Sequence, residues 1–216
     1  MFFEVPIMEA KMDAGMPQSG ALPAIAPSGK LPTLLLHCCC GPCSSSVLEV
    51  SSPFYEIAAF FYNPNIMPKE EHDKRAESFR KLLSQAQYPN RVDLIEHGYS
   101  PADFENACSP FWDQLEGAKR CTACFELRLG KAAMCCASLG YSCFTTTLSV
   151  SPHKDAALLG EVGRRVALKH GVSYLHLDAK KRGGFARSVE LSKQYGLYRQ
   201  SYCGCKAELV ARRQNW

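Results

Sequence analysis

Short apolar runs alternate with helix-length segments along most of this chain, and that alternation restricts its fold more than any other feature. Residues 31–36, 55–62, 91–96, 141–150 and 172–177 read as strands, apolar and rich in β-branched or aromatic residues. Between them, residues 69 to about 87, 101–105 onward, 126–139, 155–170 and 188–195 read as helices, with Pro68 opening the first and Gly140 and Gly171 closing two others. Ser44, Ser45 and Ser46 are candidate N-caps for a short helix after the first strand, and Asn63-Pro64-Asn65 is a turn after the second. Strands and helices in this order predict an α/β fold with a parallel sheet.

Ligands of open parallel sheets sit beyond the carboxyl ends of the strands. The first strand delivers His37-Cys38-Cys39-Cys40-Gly41-Pro42-Cys43 to that edge, and the fourth delivers residues 145–153. The helical region 101–139 is longer than a minimal crossover. It reads as an insertion carrying Cys121 and Cys124.

The chain has 216 residues, 46% of them hydrophobic, which suits one sizeable core and not two. Residues 1–30, rich in Ala, Pro, Gly and Met with scattered acids, lack the order of a signal peptide and are expected to form a disordered tail. Residues 31–216 are then expected to form a single domain. No apolar run reaches the ~20 residues of a membrane span. The expected location is the cytoplasm.

Twelve cysteines in such a chain point to metal or redox chemistry rather than to a secreted disulfide scaffold, which is usually short and loop-rich. Cys121-Thr122-Ala123-Cys124 has the C-x2-C spacing that donates two thiolates to a metal, and it stands just before a predicted helix. Zinc sites and dithiol redox motifs use the same spacing. The run 38–43 offers four more thiols and Cys203-Gly204-Cys205 two more, each on a predicted turn. Three thiol groups on turns signal a metal centre, and thiols in excess of the four that close a zinc site favour iron–sulfur. Cys135, Cys136 and Cys143 fall inside predicted elements and read as small core hydrophobes, as does Cys108. Strand alternation turns Cys38 away from Cys39.

Residues 151–216 hold 13 Lys/Arg against 5 Asp/Glu, while the chain as a whole carries only +4. The C-terminal third is therefore a candidate basic face for a polyanion. No G-x-x-x-x-G-K-[ST] or G-x-G-x-x-G loop is present. His37 and His153, at strand ends, are candidate functional histidines; His170 and His176 read as structural.

The segments LLLHCCCGPCSSSVLE, FFYNPNIMP with Glu70 and Arg75, CTACFELRLGKAA, FTTTLSVSPHKD, KRGGFARSVELSKQYGLYRQ and YCGC occur in order and resemble the epoxyqueuosine reductase family of the QueH type. The resemblance spans residues 34–205. It implies a Rossmann-like sheet of the adenine-nucleotide hydrolase-like class. It also implies a cobalamin-independent oxidoreductase that converts epoxyqueuosine in tRNA to queuosine, the last step of queuosine biosynthesis. By the same resemblance Cys39, Cys40, Cys121 and Cys124 hold a [4Fe-4S] cluster, and Cys203 and Cys205 form a redox-active pair. Vicinal cysteines project differently, so one of Cys39 and Cys40 is alternatively a ligand of a second, mononuclear iron with Cys43 and the C-x-C pair. Ser149, Lys154, Arg187 and Arg199 are candidates for holding tRNA phosphate or the modified base, together with His153. Tyr202 or His153 is the candidate proton donor to the leaving oxygen. The expected partners are tRNA bearing epoxyqueuosine and an electron donor that the sequence does not identify, with no membrane. Cys38 stands where the family pattern has a small polar residue, and His153 where it has a tyrosine.

Three rival readings differ in chemistry. An ATP-dependent tRNA thiolation enzyme requires a Ser-Gly-Gly-rich loop where this chain has residues 37–43. A zinc-binding nucleic-acid module without catalysis predicts a colourless protein. A metal-free dithiol oxidoreductase predicts that Cys203 and Cys205 react alone.

Overall fold

A computed structural model of the protein describes residues 31–180 and 183–205. The expected tail, residues 1–30, lies outside them, as does the end of the basic C-terminal third. The elements run β1 (Thr33–His37), α1 (Gly41–Ser51), β2 (Glu56–Phe61), α2 (Lys69–Gln85), β3 (Val92–Glu96), α3 (Pro101–Cys108), α4 (Lys119–Ser138), β4 (Cys143–Thr146), α5 (Ala156–His170), β5 (Ser173–Tyr174) and α6 (Gly184–Gln194). The five strands are parallel in the order β3-β2-β1-β4-β5. This is the expected α/β, Rossmann-like architecture. Among the described residues no helix is long and apolar enough to cross a membrane.

Alternation along β1 splits the core in two. Leu34 and Leu36 pack with Val47, Leu48, Ile57, Phe61, Phe79 and Leu82 beneath α1, α2 and α6. Leu35 packs on the other face with Phe60, Leu129, Ala132, Phe144, Leu159 and Val162 beneath α4 and α5. Both faces are covered at the centre of the sheet, so β1 and β2 run apolar over 34–36 and 57–61, while the edge strand β3 carries Asp93 and leaves Leu94 and Glu96 exposed. The chain leaves β1 for β2 and β3 on one side and returns to β4 and β5 on the other. The carboxyl ends of β1 and β4 therefore form the switch point at which such sheets bind ligands.

Five elements differ from the sequence reading. Helix α1 begins at Gly41, with Pro42 in its first turn, so Ser44, Ser45 and Ser46 lie inside it rather than capping it. Ser44 and Ser45 instead return hydrogen bonds to the carbonyls of Cys40 (2.7 Å) and Pro42 (2.8 Å). Helix α4 begins at Lys119, seven residues early, which moves Cys121 and Cys124 from a turn into its first turns. Strand β4 stops at Thr146, whose hydroxyl accepts from Leu148 N–H and starts a 3-10 turn over Thr147–Val150. Strand β5 has two residues and α6 starts at Gly184, with Gly183 in the left-handed region.

Gly41 decides how α1 and α2 meet. A Cβ there would lie 2.6 Å from the backbone oxygen of Ser78 and 2.9 Å from its carbonyl carbon, and a backbone neighbour cannot swing aside. Gly41→Ala is expected to destabilise the protein by about 1–3 kcal/mol through overpacking. Gly130→Ala on α4, where a Cβ meets nothing within 4 Å, should be neutral or stabilising. Denaturant unfolding of the two variants checks this, and equal stability loss in both would refute the close-approach argument.

Candidate metal and redox site

The turn between β1 and α1 is fixed before its thiols are considered. His37 is fully buried at the end of β1, with Nε2 donating to the Tyr62 carbonyl (3.1 Å) and Nδ1 paired with the Thr146 hydroxyl (2.8 Å). Burial, with the nearby Arg128 charge, lowers its pKa to about 3, so the ring is a neutral tie between strands. Cys38 turns into the core under α1 and donates its thiol to the Leu36 carbonyl, as alternation predicts. Asn63 anchors the Cys38 carbonyl (2.9 Å), and Thr147 Oγ1 accepts from the Cys39 N–H (3.1 Å).

Beyond that anchor the chain presents Cys39, Cys40 and Cys43. Among the described residues they form the one group of three or more metal-binding side chains whose ligand atoms all lie within 4.8 Å of one another. Sγ of Cys39 and Cys40 are 3.8 Å apart, close to the ~3.8 Å edge of a tetrahedron with ~2.3 Å metal–sulfur bonds. As they stand, the three thiols fit one thiophilic ion. They also share charge. The Cys40 and Cys43 thiols, then Arg128 and the Thr147 hydroxyl, overcome burial and hold Cys39 well below the ordinary thiol range. Cys40 is pushed up to about 12 by its bond to Cys39 and by burial, and Cys43 is raised likewise. One thiolate and two thiols thus occupy the space of one cation, and a bound metal would displace both remaining protons.

A cavity of about 400 Å³ opens beside this triad. Cys39 and Cys43 line it together with Arg128, Glu116, His153, Lys154, Arg199, Gln200, Tyr202 and Cys203. Lys154, nearly buried, reaches Cys203 Sγ (3.1 Å) and Glu116 Oε1 (2.7 Å). A bond from the Cys205 thiol, with Lys154, overcomes burial and holds Cys203 well below the ordinary thiol range. Burial works against the charge of Lys154, but the Cys203 thiolate and Glu116 outweigh it and raise its pKa. Gln200 Nε2 donates to Cys40 Sγ at 3.1 Å, so the segment carrying Cys203 also touches the triad.

Helix α4 supplies the remaining thiols. Cys121 and Cys124 share one face of its first turns with Arg128 one turn further on, and all three are buried. Cys121 accepts from the Gly117 N–H (3.2 Å). Cys124 packs with Met67, Phe104, Cys108 and Cys205, and burial pushes its pKa up to about 11. Arg128 donates to Asn63 Oδ1 (2.6 Å), while its buried Nε has no partner.

The structure thus gathers Cys39, Cys43, His153, Lys154, Arg199, Tyr202 and Cys203 around one cavity, with Cys40 in the triad behind it and Cys205 buried under its wall. Tyr202 is turned toward the Met67 carbonyl (3.4 Å). Arg199 donates to the carbonyl of Ser188 and the hydroxyl of Ser192. Ser149 is buried in the 3-10 turn with its hydroxyl unpartnered. Arg187 lies on the surface, paired with Glu49 and Glu190, and does not line the cavity. Sequence reasoning missed Arg128, Glu116 and Gln200. Arg128 alone carried a signal, its spacing of four and seven from Cys124 and Cys121, visible only once α4 is started at Lys119.

The profile of the family described as epoxyqueuosine reductase QueH matches residues 34–209. A protein of that name from Streptococcus pyogenes serotype M1 is 38% identical over 81% of this chain and 69% of its own length. One from Staphylococcus aureus is 40% identical over 81% of this chain and 74% of its own. One from Thermotoga maritima is 34% identical over 84% of this chain and 93% of its own.

The Lys154–Cys203 contact has a direct consequence. Lys154→Met removes a charge that lowers the Cys203 pKa, and each unit upward cuts the thiolate fraction about tenfold below that pKa. In reduced, metal-free protein, alkylation of Cys203 below neutral pH should fall about tenfold, while that of Cys135 on α4 stays constant. Peptide-resolved alkylation from pH 5 to 9 checks it; an unmoved Cys203 profile would remove Lys154 from its role.

Proposed function

The chain belongs to the epoxyqueuosine reductase QueH family, and from that premise we propose that its cavity is where epoxyqueuosine, carried in tRNA, is reduced to queuosine. The observation that carries this reading is the placement of two thiol centres on one cavity: the Cys39–Cys40–Cys43 triad at the sheet switch point and Cys203 beside Lys154.

Converting an epoxide to an alkene consumes two electrons and two protons and releases the oxygen as water. Oxidation of Cys203, held as thiolate, and Cys205, as thiol, to a disulfide yields two electrons and one proton. The second proton comes from the group that protonates the departing oxygen, and an external donor of two electrons and two protons then restores the pair and that group. Cys39, Cys40, Cys121 and Cys124 would hold a [4Fe-4S] cluster in this reading, and Cys43 would be left to a second, mononuclear iron. Such a centre, when bound, supplies electrons singly and a Lewis acid for oxygen.

The chain's own residues do the rest. Lys154 keeps Cys203 ionised and so ready to give up electrons. Arg128 places an uncompensated guanidinium donor beside the triad, where negative charge accumulates. His153, exposed at the cavity wall, is better placed than Tyr202 to hand a proton to the departing oxygen, because the Tyr202 hydroxyl already faces a carbonyl. Lys154 and Arg199, with Arg128, are cations of the cavity wall that meet substrate; Arg187 and Ser149, off that wall, act through α6 and the 3-10 turn.

A zinc module remains the competing reading, since the 3.8 Å separation of Cys39 and Cys40 suits a single tetrahedral ion. Anaerobic protein supplied with iron and sulfide, then with a chemical reductant and epoxyqueuosine-tRNA, is expected to yield queuosine-tRNA by nucleoside mass spectrometry. Cys39→Ala, Cys121→Ala and Cys203→Ser should each abolish product, and Cys136→Ala, in the core under α4, should not. A colourless protein that retains one zinc and forms no product decides for the module.

A further inference from the structure

We propose that Arg75 on α2 is a positioning residue for the Cys203–Cys205 dithiol: its guanidinium grips the backbone of the C-G-C turn and sets where both thiols stand. The consequence for chemistry rests on the reading of Cys203 and Cys205 as the redox pair; the grip itself does not.

Arg75 is 3% exposed. Nε donates to Glu71 Oε1 one turn earlier (2.7 Å), Nη1 to the Cys203 carbonyl (2.9 Å) and Nη2 to the Tyr202 carbonyl (3.1 Å). The guanidinium also lies over the Tyr202 ring, 5.2 Å from its centroid. The second oxygen of Glu71 accepts from the Tyr198 hydroxyl (2.9 Å), so the ion pair holds residues 198–203 at both ends. Gly204 completes the grip. Its φ is +104°, and a Cβ there would stand 3.1 Å from both Nη atoms, so the turn presses bare backbone onto the guanidinium. On its far side the Gly204 carbonyl accepts from the Met67 N–H (2.8 Å).

A buried ion pair alone is weak grounds for such an arrangement, because desolvating two charges offsets most of their attraction. What the pair adds here is geometry: a planar fork satisfies two successive carbonyls at once, which an ammonium group cannot copy. The carbonyl of Cys203 is thereby fixed while its Sγ rests 3.1 Å from Lys154. Cys203 and Cys205 remain within hydrogen-bonding reach of each other.

The test uses the full chain, reduced and metal-free, as wild type, Arg75→Lys, Arg75→Met and Arg80→Gln. Arg80 lies on the same helix in surface ion pairs with Glu77 and Glu96 and serves as control. Hydrogen exchange of the Met67 amide and residues 201–205 should accelerate roughly tenfold to a hundredfold in both Arg75 variants, the range expected for losing bonds to a charged donor. Exchange in β1, β4 and α5 should not change, and Arg80→Gln should match wild type throughout. In a glutathione buffer, where glutathione disulfide takes two electrons and two protons from the dithiol, the ratio of Cys203–Cys205 disulfide to Cys203–glutathione mixed disulfide should fall about tenfold. Wild-type exchange and an unchanged ratio in Arg75→Lys overturn the proposal. So does faster exchange with an unchanged ratio, since the thiols would then not depend on the grip. Acceleration spread evenly over every strand in Arg75→Lys assigns Arg75 to general stability and also overturns it. If the wild type forms no Cys203–Cys205 disulfide, the redox-pair reading fails, while the exchange measurement still decides the grip.

Discussion

The end of β1 has to change direction within three residues, and the way that turn is held governs everything near the cavity. β1 is the central strand, flanked by β2 and β4, so its last residue has neighbours on both sides. His37 links them, bonding to Thr146 on one side and to the Tyr62 carbonyl on the other. Asn63 then ties down Cys38 and is itself held by Arg128 from α4. Four elements therefore fix the backbone from which Cys39 and Cys40 project. Because each of these bonds is buried, a single lost partner would leave an unpaired polar group at a cost of about 1–3 kcal/mol. Rigidity at this turn is what holds the two vicinal thiols 3.8 Å apart, as the proposed metal binding requires.

Electrostatics follows from that rigidity. Three thiols held so close cannot each ionise, and the charge settles on Cys39, which alone has both thiol donors and the Thr147 hydroxyl. Across the cavity Cys203 is ionised by a different device, a bond from Cys205 and a buried lysine. The two centres are chemically distinct, although in each, the triad and the pair, one thiol is lowered by its neighbours. The triad gains its full charge only by exchanging protons for a cation, whereas the Cys203–Cys205 pair is already poised as a thiolate with an adjacent thiol. That difference is the physical basis for proposing metal binding at the first and dithiol chemistry at the second.

Much of the scaffold was legible in the sequence because parallel strands buried on both faces must be apolar, and runs such as LLL at 34–36 and FFY at 60–62 admit little else. The sites of error share a cause. Ser44, Ser45 and Ser46 carry strong capping preference, yet Pro42 had already opened α1, and the serines satisfied their hydroxyls on the preceding carbonyls instead. At α4 the polar opening KRCTAC hid a helix start, because the apolar face there is built from the cysteines themselves and from Arg128, a charged residue that the core accepts only beside Asn63. Cys203 and Cys205 were visible as thiols, but their neighbours Lys154 and Arg75 lie 49 and 128 residues away in sequence and no local pattern announces such contacts.

The basic surplus of the C-terminal third looks different once its members are placed. Arg187 is bound to Glu49 and Glu190, and Arg165 to Glu126 and Glu161, so these guanidinium groups join α6 to α1 and α5 to α4 before they meet any polyanion. Arg199 supports α6 through Ser188 and Ser192. Among the described residues of this third, Lys154 alone combines burial, a thiolate partner and a place on the cavity wall. Charge in this region therefore acts at short range, where the low dielectric of a partly closed cavity strengthens each contact and salt screens it little. A substrate entering the cavity would meet a few fixed positive groups set against thiolates, which is an arrangement for stabilising charge as it moves, and steering from afar is left to residues beyond it.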